Sequence, residues 1–227
     1  IFSLININMM YYINLDPPSE DIITECRNLA NKTILSDEIN DQNFHDTEYT
    51  VNYAHTGAYT TGALRQAMRD RYQHLFKWTI SASIIMIENH SKYPIASFAT
   101  HIDSKRCAAI NWYIDLGGSD TRMTFYNRYG DVGDNNSLDK IYNTAPPAKH
   151  EILSQFSIEA NKWYTFNAQQ YHSGENIETK RLILVSRFEN SVYAEFMELY
   201  KHLMTPVPPI ENPTIRTYLK DLRALYG

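Results

Sequence analysis

Apolar and polar positions along the chain fall into three stretches with different rhythms. In DPPSEDIITECRNLANKT, Ile22, Ile23, Cys26 and Leu29 form one stripe at helical spacing, behind Ser19 as a candidate cap and an acidic first turn. In TTGALRQAMRDRYQHLFKW, Leu64, Ala67, Met68, Tyr72 and Leu75 repeat the pattern, and Arg65, Arg69 and Arg71 fall on what reads as a solvated face. These patterns predict helices over about 18–33 and 60–78. Residues 36–58 between them are polar and rich in Asn and Asp, which predicts loops with at most one short strand. From about residue 79 the rhythm changes to short β-rich runs: ISASIIMIE, PIASFATHID, CAAINWYIDL and TRMTFYN. A polar excursion over 130–148 ends in a double proline and reads as a surface loop and candidate lid. Strand signals resume in HEILSQFSI, KWYTFNA and RLILVSRF. Helical spacing then returns over about 190–204 and, after a PVPP break, over 213–226, with Pro213 near the start of the last segment. At the other end of the chain, SLININM alternates as a strand does.

Seven or eight short strands with no helix between them predict a mainly β protein with flanking helices: a sandwich, jelly roll or barrel. Its β core spans about 80–190 within a single domain, 1–227. The polar segments 36–58 and 130–148 are expected to border a pocket and to move more than the strands.

Composition narrows the class. The chain has 227 residues, enough for a sizeable core without cross-links. Lys and Arg number 21 against 26 Asp and Glu, a net charge of −5, which argues against a general nucleic-acid coat. The basic helix RQAMRDRYQHLFK keeps nucleic acid as a less favoured partner. Only Cys26 and Cys107 are present, without CxxC spacing, so a reducing, cytoplasmic setting is expected. The most apolar stretch, at the N-terminus, is interrupted by Asn6, Asn8 and Asn14 and lacks signal-peptide features, so no membrane partner is expected. The 17 tyrosines suit half-buried strands and wet pocket walls.

Three features carry candidate chemistry. His101-Ile102-Asp103 ends a strand-like run, and side chains two apart on a strand share a face, so imidazole and carboxylate can meet one ion. A surface His–Asp pair fits the same spacing. His172 lies in WYTFNAQQYHSGEN, just past a strand signal and close to a turn signal, where a structural histidine is the plainer alternative. Arg181 follows nine residues later and opens the apolar run RLILVSRF. A charge leading into a buried strand needs a partner, unless it sits at an edge facing water.

Taken in order, HID at 101–103, YHSG at 171–174 and RLILVSRF at 181–188 resemble the 2-oxoglutarate/Fe(II)-dependent dioxygenase superfamily. Two histidines and one carboxylate hold Fe(II) on three sites and leave three adjacent ones open, and an arginine pairs with a carboxylate through two hydrogen bonds. The resemblance covers roughly residues 80–190 and implies a double-stranded β-helix, the cupin-like form of the jelly roll. It implies His101, Asp103 and His172 as iron ligands and catalytic centre, with Arg181 anchoring the far carboxylate of 2-oxoglutarate. Asn111, sharing a strand face with Ala109 and Tyr113, is a further candidate for binding that cosubstrate. Arg187, at the same strand parity as Arg181, is an alternative anchor, and Tyr93 and Thr124 are candidate pocket walls. The implied reaction couples decarboxylation of 2-oxoglutarate by O2 to hydroxylation of a substrate. That substrate is expected to be an amino-acid side chain or small metabolite, with a nucleobase as the alternative class. Asp103 argues against halogenation, because halogenating relatives replace that carboxylate with a small residue. A non-enzymatic, metal-binding β-barrel is the competing reading, and a cupin-type metal enzyme is disfavoured because the close His pair followed by Glu is absent.

Overall fold

The computed structural model describes residues 10–32, 55–88, 106–128, 150–189 and 192–213. In chain order these contain β1 (Met10–Ile13), α1 (Glu20–Lys32), β2 (His55–Tyr59), α2 (Gly62–Tyr72), β3 (Ile80–Glu88), β4 (Arg106–Asp115) and β5 (Arg122–Arg128). Then come β6 (His150–Ser157), β7 (Trp163–Asn167), β8 (His172–Glu175), β9 (Lys180–Glu189), α3 (Tyr193–Tyr200) and β10 (Met204–Pro206). The run PIASFATHID, the proposed lid at 130–148 and the helix expected over 213–226 lie outside the described residues, as does most of 36–58.

Seven strands form an antiparallel sheet in the order β10-β1-β7-β4-β9-β3-β2, and three form a second in the order β6-β5-β8. The chain crosses between the sheets as it goes: β4 lies in the large sheet, β5 and β6 in the small, β7 in the large, β8 in the small and β9 in the large. With β3-β9-β4-β7 facing β8-β5-β6, this is the strand order of a jelly roll. Residues 89–105, between β3 and β4, lie outside the described residues.

Alternation along the large sheet explains why its strands read as nearly continuous apolar runs: both faces are buried. Ile80, Ala82, Ile84 and Met86 of β3, Ala108, Ile110 and Trp112 of β4, and Leu182, Leu184 and Phe188 of β9 pack beneath the helices. The helices contribute Ile22, Cys26, Leu64, Met68, Phe196 and Tyr200 to that layer. Positions of opposite parity, Ile87, Ala109, Tyr113, Ile183 and Val185, meet Met123, Phe125 and Phe156 of the small sheet. The protein thus has one core under the helices and one between the sheets, and only the second borders the site below.

Several local expectations change. Leu75, placed on an apolar stripe by its spacing, is 39% exposed, because α2 ends at Tyr72 and residues 73–75 tighten into a 3-10 turn that rotates it outward. Arg65 and Arg69 are exposed, but Arg71 is half-buried and donates from Nη2 (2.7 Å) and Nε (3.1 Å) to the Pro17 carbonyl, so it braces the β1–α1 connection. Residues 204–206, expected to end a helix and enter a PVPP break, form β10 beside β1. Residues 172–175, read as adjoining a turn, form β8, whose small and polar residues gave no apolar alternation. Among the described residues no helix is long and apolar enough to cross a membrane.

Candidate functional site

Arg181 opens β9 and is 1% exposed. Its parity places it on the face of the large sheet that looks toward the small sheet, with Ile183 and Val185. The guanidinium is held by two backbone carbonyls: Nε donates to Leu116 (2.8 Å) and Nη2 to Glu175 (3.0 Å). Among the described residues no carboxylate lies within ion-pair distance, and Nη1 makes no hydrogen bond. Burial pushes its pKa below the usual arginine value, and Tyr113 and then Glu175 partly offset this.

The local chain makes room for this residue with glycine. Gly117 adopts φ +69°, and a Cβ there would lie 2.8 Å from the Arg181 backbone nitrogen. Its carbonyl accepts from the backbone N–H of both Glu178 and Thr179 (2.8 Å each), so the β4–β5 connection is pressed against the start of β9. That contact brings the Leu116 carbonyl to Nε. The pair Gly117-Gly118 was visible in the sequence only as punctuation between strands.

Tyr113 and Asn111 share the interior face of β4 with Ala109. Tyr113 is fully buried; burial raises its phenol pKa, while the Arg181 cation and then Asn111 pull it back. Neither Tyr113 Oη nor Asn111 Oδ1 has a hydrogen-bond partner of ordinary geometry. An unsatisfied buried polar atom costs about 1–3 kcal/mol, so two beside one under-paired cation form an unusual cluster.

His172 approaches from the small sheet. It pairs with Phe125 on β5 and is 4% exposed, with its ring 4.9 Å from Phe166 and 6.2 Å from Phe125 between ring centres, so it also faces the interior. Nδ1 lies 2.8 Å from the Gln170 carbonyl. A carbonyl can only accept, so Nδ1 carries a proton, and in the neutral form of the ring the lone pair is then on Nε2. This is the arrangement a metal-binding histidine uses, with the second nitrogen fixed by a backbone oxygen. Gln170 is held in turn by its side-chain amide, which donates to the Tyr126 carbonyl (2.6 Å).

The register orders these groups along the interior. Arg181 comes first, then Ile183 opposite Tyr113, then Val185 opposite Asn111, then Arg187 opposite Ala109. Ala109 pairs with Phe166, the residue that touches the His172 ring. Polar groups thus run from the buried cation toward the histidine.

His101 and Asp103 lie outside the described residues, as does Tyr93. Among the described residues no group of three or more His, Cys, Asp or Glu side chains is placed to hold a metal. Thr124 does not line the interior. It is fully buried on the opposite face of β5, where it accepts from Gln155 Nε2 (2.8 Å), because its even parity opposes that of Met123 and Phe125. Arg187 is half-buried on the interior face six residues beyond Arg181. Cys26 is buried among helix residues and its thiol is pushed up to about 12 by burial, so it is no candidate nucleophile.

No family model and no curated protein matches the chain. Among solved structures it is similar to the non-haem α-ketoglutarate-dependent epimerase SnoN from nogalamycin biosynthesis, at 13% identity and a TM-score of 0.48, over 80% of this chain and 77% of that one. A Pseudomonas putida prolyl-4-hydroxylase matches at 14% identity and TM-score 0.40, over 82% of this chain and 95% of that one. An oxidoreductase of the 2OG-Fe(II) oxygenase family from Burkholderia pseudomallei matches at 7% identity and TM-score 0.32, with 58% of this chain spanning 53% of its length.

Proposed function

We propose that the protein is a 2-oxoglutarate/Fe(II)-dependent oxygenase, most simply a hydroxylase, with its cosubstrate lying between the two sheets. The observation that carries this reading is Arg181: a fully buried guanidinium with two carbonyl partners, no ion-pair partner among the described residues, and the unsatisfied Tyr113 hydroxyl nearby. A buried cation without a counter-charge is costly. A ligand carboxylate would supply the missing charge through Nη1, accept from the Tyr113 phenol and bury itself with both. Asn111 lies next along the interior, where its side-chain amide can donate to an oxygen of the bound molecule.

The far end of such a ligand points toward His172, whose Nε2 lone pair fits a first-row divalent ion. His101 and Asp103 are proposed as the other two ligands on the strength of the sequence motif alone. Bound Fe(II) would supply oxygen activation and the oxidative decarboxylation of the cosubstrate. The protein's own contribution is to fix the carboxylate on Arg181, hold the imidazole in one tautomer and keep water out of an interior walled by Phe125, Phe156 and Phe166.

The test is an anaerobic titration of the metal-loaded protein with 2-oxoglutarate. Arg181→Ala is expected to weaken 2-oxoglutarate binding by about ten- to a hundredfold, the worth of a charge-assisted pair, with metal affinity little changed. His172→Ala is expected to weaken metal binding instead. If Arg181→Ala leaves cosubstrate affinity unchanged, the anchor is not Arg181, and Arg187 becomes the residue to test.

A further inference from the structure

The outward face of the small sheet is buried yet strongly polar. Arg122, Thr124 and Tyr126 of β5, Gln155 of β6, and Ser173 and Glu175 of β8 all point away from the interior, and each is at most 8% exposed. Within this face Glu175 Oε1 accepts from Tyr126 Oη at 2.5 Å and also from Ser173 Oγ, while the two hydroxyls lie 3.2 Å apart. Nothing in the reading above uses these three side chains, although two of them sit on the strand that begins with His172.

Their backbone reaches the site on the other side of the sheet. Glu175 ends β8, and the next residue, Asn176, adopts a left-handed φ of 58° held by a hydrogen bond from its side-chain amide to the Asp120 carbonyl (2.7 Å). The Glu175 carbonyl accepts from Arg181 Nη2. At the other end of β8, the Tyr126 N–H donates to the Tyr171 carbonyl (2.9 Å), and the Tyr126 carbonyl accepts the Gln170 side chain whose own carbonyl receives His172 Nδ1–H. A register shift between Phe125 and Tyr126, where Leu153 of β6 is left over, marks the place where β5 departs from regular pairing.

We propose that Tyr126 is a positioning residue for the candidate site: its phenol fixes Glu175, whose carbonyl orients Arg181, and its backbone carbonyl fixes Gln170, whose carbonyl orients His172. The orienting role toward Arg181 and His172 is geometric; its consequence for ligand binding rests on the cosubstrate reading above. The physical reason is that a carbonyl at a strand end, followed by a left-handed residue, has few ladder bonds to fix its direction. Two hydroxyl bonds to the same side chain supply that restraint from behind. The phenol acts only on the Arg181 end, because the Gln170 contact uses the backbone, so side-chain substitution separates the two arms.

The deciding measurement needs no ligand. In Tyr126→Phe, solvent exchange of the Arg181 Nη protons, followed by NMR, is expected to rise about tenfold, the worth of one lost hydrogen bond. The Nε proton, bound to Leu116, and the His172 Nδ1 proton are expected to stay within about twofold of the parent, because their acceptors are untouched. A purely structural role for Tyr126 would speed all three together. If Tyr126→Phe does not fold, Ser173→Ala removes the second hydroxyl with little loss of volume and takes the same measurement. Unchanged Arg181 Nη exchange in the folded variants, or equal acceleration of all three protons, overturns the proposal. A parallel titration is expected to show 2-oxoglutarate binding weakened about three- to tenfold in Tyr126→Phe, with Zn2+ affinity unchanged. Failure of the parent protein to bind 2-oxoglutarate would sink the cosubstrate reading and leave the exchange result standing.

Discussion

Arg122 and Arg181 are both buried, on opposite sides of the same thin interior, and they differ in what surrounds them. Arg122 lies on the outward face of the small sheet with every edge of its guanidinium engaged. Nε and Nη2 donate to the two carboxylate oxygens of Asp120 (3.1 and 2.9 Å), and Nη1 donates to Gln155 Oε1 (2.8 Å). Arg181 lies on the inward face of the large sheet with two carbonyls and, among the described residues, no such carboxylate. The first arrangement is self-sufficient, closing a charge inside the fold. The second is incomplete among the described residues, and its incompleteness is local: the orphaned Tyr113 hydroxyl lies within its electrostatic reach. Burial of a cation therefore does not mark a site here; the lack of an ion-pair partner among the described residues does.

The sharpest way to break this contrast is to replace each arginine by methionine and compare urea unfolding. Arg122→Met is expected to cost about 1–3 kcal/mol, because it strips a donor from buried Gln155 and a partner from Asp120, which is partly exposed and recovers some hydration. Arg181→Met is expected to leave stability unchanged or raise it by about 1–2 kcal/mol, since an apolar chain of similar volume replaces an under-paired charge. Equal losses at both positions would mean that Arg181 is a structural cation like Arg122.

Gly117→Ala tests how tightly the Arg181 side is built. The added Cβ would meet the Arg181 nitrogen at 2.8 Å from a backbone at φ +69°, and neither atom belongs to a flexible side chain. A loss of about 1–3 kcal/mol in stability is expected, together with weaker 2-oxoglutarate binding as Leu116 shifts. A silent substitution would show that the β4–β5 connection slides freely past β9. A smaller effect is expected at Tyr113. Tyr113→Phe removes an unsatisfied hydroxyl, so the free protein should be as stable or slightly more so, while 2-oxoglutarate binding weakens by about 0.5–1.5 kcal/mol. Calorimetric titration reads the second effect and urea midpoints the first.

What the sequence showed and what it hid follow the same division. The central strands of the large sheet, β7, β4, β9 and β3, were legible because burial on both faces leaves runs such as RLILVSRF and ISASIIMIE, and α1 and α2 because one face packs on that sheet. Arg181 stood out as a charge at the head of such a run. The small sheet was only partly legible. β5 and β6 carry enough apolar alternation, but β8 is HSGE, whose strand character comes wholly from its partner β5. The Tyr126–Ser173–Glu175 cluster was invisible for a related reason: its outward face is buried, so the rule that polar positions face water misplaces it. The roles of Leu116, Gln170 and Glu175 toward Arg181 and His172 belong to backbone carbonyls, which no residue type announces.

The smallest expected effect is a pH dependence that separates a sealed interior from a wet one. Burial raises the Tyr113 pKa above its ordinary value of 10.0, so its neutral form is the one the folded state holds. Its contribution is complete below pH 10.0 and is lost as pH rises toward the folded pKa, because the unfolded chain releases the proton first. Tyr11, Tyr12, Tyr72 and Tyr164 are raised by burial too, so the parent protein should lose stability above that pH through all five. Removing one of them in Tyr113→Phe should make the decline shallower by at most about 1.4 kcal/mol per pH unit. Arg181 sharpens the test, because its cation lowers the Tyr113 pKa and narrows the window. In Arg181→Met the window should extend to higher pH, and the difference between this variant and its Tyr113→Phe double should grow. Stability measured in urea at several pH values from neutral to strongly alkaline gives all four slopes. Identical slopes with Tyr113 or Phe at this position would mean that the phenol ionises as readily in the folded chain as in the unfolded one, and that water already reaches the cation beside it.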